Sequence, residues 1–265
     1  MSGETSVSEP KPRILSVLKH RLVLLLSPLA IFLLWAWACD RGIFPEQLLV
    51  SPARVLDAFV ELFESGEVQT HFHNSIYRLG IGFSLGATLG LAFGILMALS
   101  RTVENLCLPF FNAIRQVPSI AFIPMLILLF GVEETFKIII VAKAAFFPVA
   151  LASYDAVKGI PKSYFEVAQV YRLPAFTLVR QIILPATVPP ILTGFRLSLS
   201  RSWMVLVAAE LLAADSGIGQ MMEMGRQMFR IDIVMVGVVI TGVVGYTLDR
   251  SFKLVEGRLV KWRLA

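Results

Sequence analysis

The chain has 265 residues, 56% of them hydrophobic and only 16% charged, with a formal net charge of +5. Soluble domains run near 45–50% apolar and about 25% charged, so a soluble core cannot absorb this excess and the composition selects a polytopic membrane protein in a lipid bilayer. The basic balance calls for no nucleic acid, because lysines and arginines gathered on one side of a membrane give the same sum.

In chain order, residues 1–13 are polar, with two prolines and acids, and read as disordered, within an N-terminal tail over 1–21. Leu22–Cys39 follows, 18 residues without a charge. It is too long for a signal-peptide core and has no clear cleavage site, so a retained transmembrane helix is expected. Leu79–Ser100 gives 22 uncharged residues, and Gly82, Gly86, Gly90 and Gly94 recur along it at a spacing that lines one helix face. Small residues at that spacing let helix backbones approach closely in lipid. Leu106–Ile114, then Arg115, then the 17 residues Gln116–Val132 make the next span, and Ile138–Tyr154 is apolar except for Lys143. Ser202–Ala209 continues past Glu210 to Ala214 and is expected to start near Thr193; Ile233–Leu248 is the last run.

This reading gives an all-α fold of about six transmembrane helices, occupying a 22–250 membrane domain with a polar loop at 158–185, and a C-terminal tail at 251–265. Prolines 28, 118, 124 and 148 fall inside the runs and are expected to kink rather than break them. Cys39 and Cys107 read as packing residues, not a disulfide or metal pair. His71 and His73 make a poor metal site and read as part of a solvated segment, so no metal is expected.

With six spans, both termini share a side. That side carries 14 lysines and arginines against six on the other, which places the termini and the 155–182 loop in the cytoplasm. In the loop, Pro161 precedes Ser163, whose side chain and Glu166 fit a capping box. Leu173-Pro174 should end the first helix. A second short helix is expected over about 175–183, ending near Leu184-Pro185. Tyr164, Phe165, Val167 and Tyr171 are large apolar side chains on a cytoplasmic loop, a pattern that marks a partner surface and suits helix-in-groove docking. The competing reading is an interfacial helix lying on the membrane.

Charges inside or beside spans are costly and default to function or pairing. Arg115, Gln116, Lys143 and Glu210 are the candidate translocation-path residues. A sulfonate or carboxylate suits a cationic path. Alternatively Lys143 pairs with Glu210, and Arg196 and Arg201 snorkel to the interface.

The chain contains no Walker A sequence, no H-E-x-x-H and no G-x-S-x-G, so no enzymatic activity is expected of it.

Glu166-Val167-Ala168, then Ile182-x-Leu184-Pro185 at the matching distance, resembles the EAA loop of bacterial ABC-importer permeases. Val167 replaces the first alanine, and Arg172 stands where that pattern has glycine. Ser51-Pro52, the stretch His71–Arg78, Arg115–Pro118, Phe130–Glu133, and Ala209-Glu210 through Ser216–Gly219 are similar to the subfamily that moves sulfonates, taurine and nitrate. The resemblance implies a type I permease fold in a bacterial inner membrane. It implies a permease homodimer, separate ATPase subunits that use the ATP and magnesium, and an extracytoplasmic solute-binding protein. No cofactor is implied for this chain. The ATPase-coupling residues are then Ser163, Tyr164, Phe165, Glu166, Ala168, Tyr171, Arg172, Leu184 and Pro185. The cargo is an aliphatic sulfonate or taurine, with nitrate, bicarbonate, an aromatic acid or a thiamine precursor as alternatives. The alternative of another class is an ion-coupled secondary transporter; the paired broken helices of internal repeats are not apparent in the sequence.

Overall fold

The computed structural model describes residues 14–45 and 49–260, with side chains from Leu26 onward apart from residue 175. Residues 1–13 and 261–265 of the expected tails lie outside the described residues. Helix nevertheless reaches into both stretches read as tails, because the first helix begins at Ile14 and the last ends at Leu259. The described elements are all helical: α1 (Ile14–Asp40), α2 (Pro52–Glu64), α3 (Glu67–Leu99), α4 (Arg101–Gln116), α5 (Ile123–Phe130), α6 (Glu134–Lys158), α7 (Lys162–Val170), α8 (Ala175–Leu178), α9 (Leu184–Ala213), α10 (Ile218–Gln227) and α11 (Ile231–Leu259).

The chain divides into two compact units, residues 1–57 and 58–265. In the first, the Trp35 indole donates to the Val50 carbonyl at 3.0 Å, folding the segment after α1 back along it. Cys39 is a free thiol beside the same carbonyl, and Cys107, in the second unit, packs against the buried cluster of Met97, Phe111 and Ala150.

The second unit is built around α6, with α3 on one side and α9 on the other. The four glycines of α3 explain the closeness of the first pair. A Cβ on Gly82 would stand 2.7 Å from the Val141 side chain, and one on Gly90 would stand 2.6 Å from the Phe146 carbonyl oxygen. At Gly86 and Gly94 it would run into the carbonyls of Ala142 and Ala150. The stripe is therefore a helix–helix contact within the chain, which in lipid holds by packing rather than by the hydrophobic effect. On the other side, Ser198 donates to the Ala145 carbonyl at 2.9 Å and Gly194 sits against Ala152. Trp203 fills the centre of the core with Phe136, Ile140 and Leu206, and its indole donates to the Thr241 carbonyl of α11 at 3.0 Å.

Among the described residues four helical runs are long and apolar enough to cross a membrane, namely α3, α6, Phe176–Gln227 (which contains α9) and α11, and a broken pair makes a fifth. The first expected run, Leu22–Cys39, lies in α1, whose side chains are described only from Leu26. The broken pair corrects the expectation for Pro118. Leu106–Val132 is no kinked helix; α4 and the segment Ser119–Phe130 meet at 92°. Val117 takes an extended conformation (φ −74°, ψ 120°), as a residue before proline prefers, and helix cannot pass through it. Pro28 and Pro148 do sit inside continuous helix, and Pro124 occupies the first turn of α5, where its missing N–H costs nothing. The fifth expected span also begins earlier than Thr193, at Leu184.

Candidate functional site

Three features of the second unit carry candidate chemistry. The first is the projection formed by α7 and α8. Its helix starts differently from the expectation: Pro161 is the N-cap, Ser163 is already inside α7, and its side chain caps nothing. The capping box does not form because the helix already starts at Lys162, so Ser163 is its second residue and does not sit outside it. At the other end, Arg172 occupies the left-handed region (φ 51°). Its N–H donates to the Gln169 carbonyl at 3.1 Å and that of Leu173 to Ala168 at 2.9 Å. These two bonds define a Schellman turn, normally made with glycine at the left-handed position. Arg172 thus adopts the glycine conformation, at a cost on the order of 1 kcal/mol. Ala168, whose carbonyl closes the turn, is buried.

Tyr164, Val167, Val170, Tyr171 and Phe176 are at least half exposed on this projection, Tyr171 and Phe176 at 74% each. Phe165 is half-buried, while Ser163, Glu166 and Arg172 are exposed. The second helix does not stop at Leu184-Pro185. α8 runs into a π-helical turn, Val179–Ile183, and straight on into α9. Proline removes one helical hydrogen bond and crowds the carbonyl four residues before it. The wider turn just ahead of Pro185 accommodates both, so Leu184 and Pro185 join the projection to a span instead of ending it.

The second feature is a cavity of about 430 Å³ beside the α4–α5 break. Arg115, Gln116, Lys143 and Arg201 line it, with Ser119 and Phe147 among their neighbours. Three of the four translocation candidates thus come together, joined by Arg201. The Lys143 ammonium lies 4.1 Å from the Phe122 ring centroid, 5.2 Å from that of Phe147 and 3.5 Å from the Ser119 hydroxyl. Among the described residues no carboxylate lies within salt-bridge distance of Arg115, Lys143 or Arg201.

Glu210 is elsewhere. It lines a separate cavity of about 370 Å³ with Asp215 and Glu223. The Lys143–Glu210 pair does not form, because Glu210 is sealed inside a polar network, the third feature. Arg78 is 1% exposed and fully engaged. It donates to Glu134 at 2.5 and 2.7 Å, to Glu210 at 2.9 Å, and to the Ser216 carbonyl and hydroxyl at 2.6 and 2.7 Å. The first amides of α10 are met by side chains of α3 and α9. Gly217 N–H donates to His71 Nδ1 at 3.0 Å, Ile218 N–H to the Ser75 hydroxyl at 2.9 Å, and Gly219 N–H to Glu210 at 3.1 Å. Helix-start amides have no partner within their own helix, and buried ones need one from outside. Gly217 is required twice over: its φ is 113°, and a Cβ there would strike the Glu210 carboxylate. His71 is therefore no solvated residue. The signal was present in the sequence, since His71, Ser75 and Arg78 stand at i, i+4 and i+7 on one helix face.

Residues 90–261 match the family of binding-protein-dependent transport system inner membrane components. Over 239 residues the chain is 39% identical to a Bacillus subtilis protein provisionally named as the permease of aliphatic sulfonates transport, covering 90% of this chain and 87% of the relative. It is 29% identical over 251 residues to the taurine transport system permease protein of Escherichia coli, covering 92% and 91%. The fold is similar to a crystal structure of an amino acid ABC transporter, with a TM-score of 0.57 at 16% identity over 77% of this chain and 96% of that one. It is also similar to the MetNI methionine ABC transporter in inward-facing conformations, with a TM-score of 0.52 at 18% identity over 74% and 98%. The chain belongs to the family of binding-protein-dependent inner-membrane transport components: it is a multi-pass permease subunit of an ABC importer, and not an enzyme.

Proposed function

We propose that this permease forms the translocation path for an aliphatic sulfonate or taurine and is driven by ATP hydrolysis on a separate ATPase docked against α7 and α8. The observation that carries the coupling is the exposed ridge Tyr164, Val167, Tyr171 and Phe176 on a projection tied by the Arg172 turn. Large apolar side chains on a short polar-flanked helix suit a partner's groove. Because α8 continues through the π-helical turn into α9, a push on the projection is transmitted to the span that carries Arg201 and Glu210.

In this account both termini and the projection face the cytoplasm, and two permease copies assemble with two ATPases that use the ATP and magnesium. Nucleotide-driven closure of the ATPases shifts α7 and α8, and the two permease copies alternate between inward and outward openings. A solute-binding protein delivers the anion to the outward one. Such a machine needs two packings only a few kcal/mol apart.

Reconstitution with the partner ATPase and binding protein tests this. Uptake of an aliphatic sulfonate or taurine that requires ATP and binding protein supports it. ATP-independent uptake driven by an ion gradient contradicts it and favours a secondary transporter.

A further inference from the structure

Resting on that importer reading, we propose that the cavity beside the α4–α5 break is an anion-binding site of the permease itself, built for an organic monoanion with an apolar tail and no cationic group.

Three other cations, one on each of α3, α6 and α9, are matched with acids. Arg78 binds Glu134 and Glu210, Lys137 binds Glu134, and Arg196 lies 3.6 and 3.4 Å from Asp249 and Glu256. Around this cavity Arg115, Lys143 and Arg201 converge, and no acid lines it. Lys143 is held by ring faces and one hydroxyl, which fix the ammonium without neutralising it. It lies about 14 Å along α6 from Glu134 at 1.5 Å per residue, near mid-depth of a hydrocarbon core about 30 Å thick. Unneutralised charge at that depth is expensive and marks an ion or substrate route.

Val117-Pro118 is non-helical, and it lines this same cavity. Irregular backbone at membrane depth persists only where it is buried in protein or borders a cavity. The break is what brings Arg115 and Ser119, from either side of Pro118, to one place.

Phe147, Met204 and Val205 are apolar and face the same space. A volume of about 430 Å³ suits a small organic molecule. The anionic head meets the two guanidiniums, whose forked donors match sulfonate oxygens, together with Lys143 and Ser119. The tail meets the apolar wall, where each buried methylene is worth about fourfold in affinity. With no acid on the wall, an ammonium group on the tail meets only like charge. The site therefore prefers alkanesulfonates to taurine.

The test is direct binding to the purified permease–ATPase complex without binding protein, by titration calorimetry with butanesulfonate, methanesulfonate, taurine and butylammonium. Butanesulfonate is expected to bind, methanesulfonate several tens-fold more weakly, taurine at least tenfold more weakly, and butylammonium not at all. Lys143→Gln and Arg201→Gln should each weaken butanesulfonate at least tenfold, and Lys143→Arg should restore most of it. No butanesulfonate binding, taurine binding as tightly as butanesulfonate, or both glutamine variants binding as wild type overturns the proposal. The four-ligand series uses wild-type protein, so it stands even if a variant fails to assemble. Uptake by the wild-type complex with ATP and binding protein is measured in parallel: its absence alongside selective butanesulfonate binding refutes the importer reading and leaves the site intact.

Discussion

The Arg78 guanidinium and the Glu210 carboxylate meet at 2.9 Å with side chains 2% and 0% exposed, and between them they tie α3 to α9 and to the start of α10. Glu134 supplies a second carboxylate, so Arg78 spends its donors on two acids and on Ser216. Removing one partner of such a pair leaves a buried charge unpaired, at about 3–5 kcal/mol. Arg78→Met and Glu210→Gln are each expected to lower the unfolding midpoint in detergent clearly. The double variant should lose less than the sum of the two. Additive losses would show that the two side chains do not act as a pair.

The α3–α6 contact gives a sharp contrast between neighbouring glycines. Gly86→Ala places a methyl against the Ala142 backbone, which cannot move aside as a flexible side chain does. Overpacking of this kind costs typically 1–3 kcal/mol. Gly80→Ala in the same helix meets nothing within 4 Å and should be neutral or slightly stabilising through helix propensity. Thermal unfolding of the two purified variants checks this, and equal behaviour would contradict the packing account.

Arg172 is strained where glycine is not. Arg172→Gly should stabilise the Schellman turn by about 1 kcal/mol, slowing hydrogen exchange at the Leu173 amide by about fivefold if exchange is by local opening. Unchanged or faster exchange would mean that the arginine side chain holds the turn in some other way.

Much of the bundle was legible because lipid imposes a simple rule: long uncharged runs must be helical. α3, α6 and α11 follow it closely, and the glycine stripe names its own packing face. The α4–α5 break was harder, since prolines 118, 124 and 148 look alike in sequence. Only position relative to the helix start separates Pro124, in a first turn, from Pro118, between two elements. The loop at 162–183 showed its two helices and its exposed aromatics. It hid its N-cap, because Pro161 outcompeted Ser163, and its far end, because a π-helical turn lets helix continue where Leu184-Pro185 reads as a stop. In the candidate cavity, Arg115, Gln116 and Lys143 line one space. Glu210 does not join them, because its partner Arg78 lies 132 residues away in sequence and no local pattern links the two.

The central claim is that α7 and α8 couple this permease to an ATPase. The most direct measurement is ATP hydrolysis by the co-purified permease–ATPase complex, with ligand-loaded binding protein added. Wild-type complex is expected to be stimulated severalfold. Glu166→Lys and a Tyr164→Ala/Tyr171→Ala variant, with the membrane bundle still folded, should lose the ATPase on purification or lose the stimulation. A complex that forms and is stimulated equally well with both variants would contradict the account.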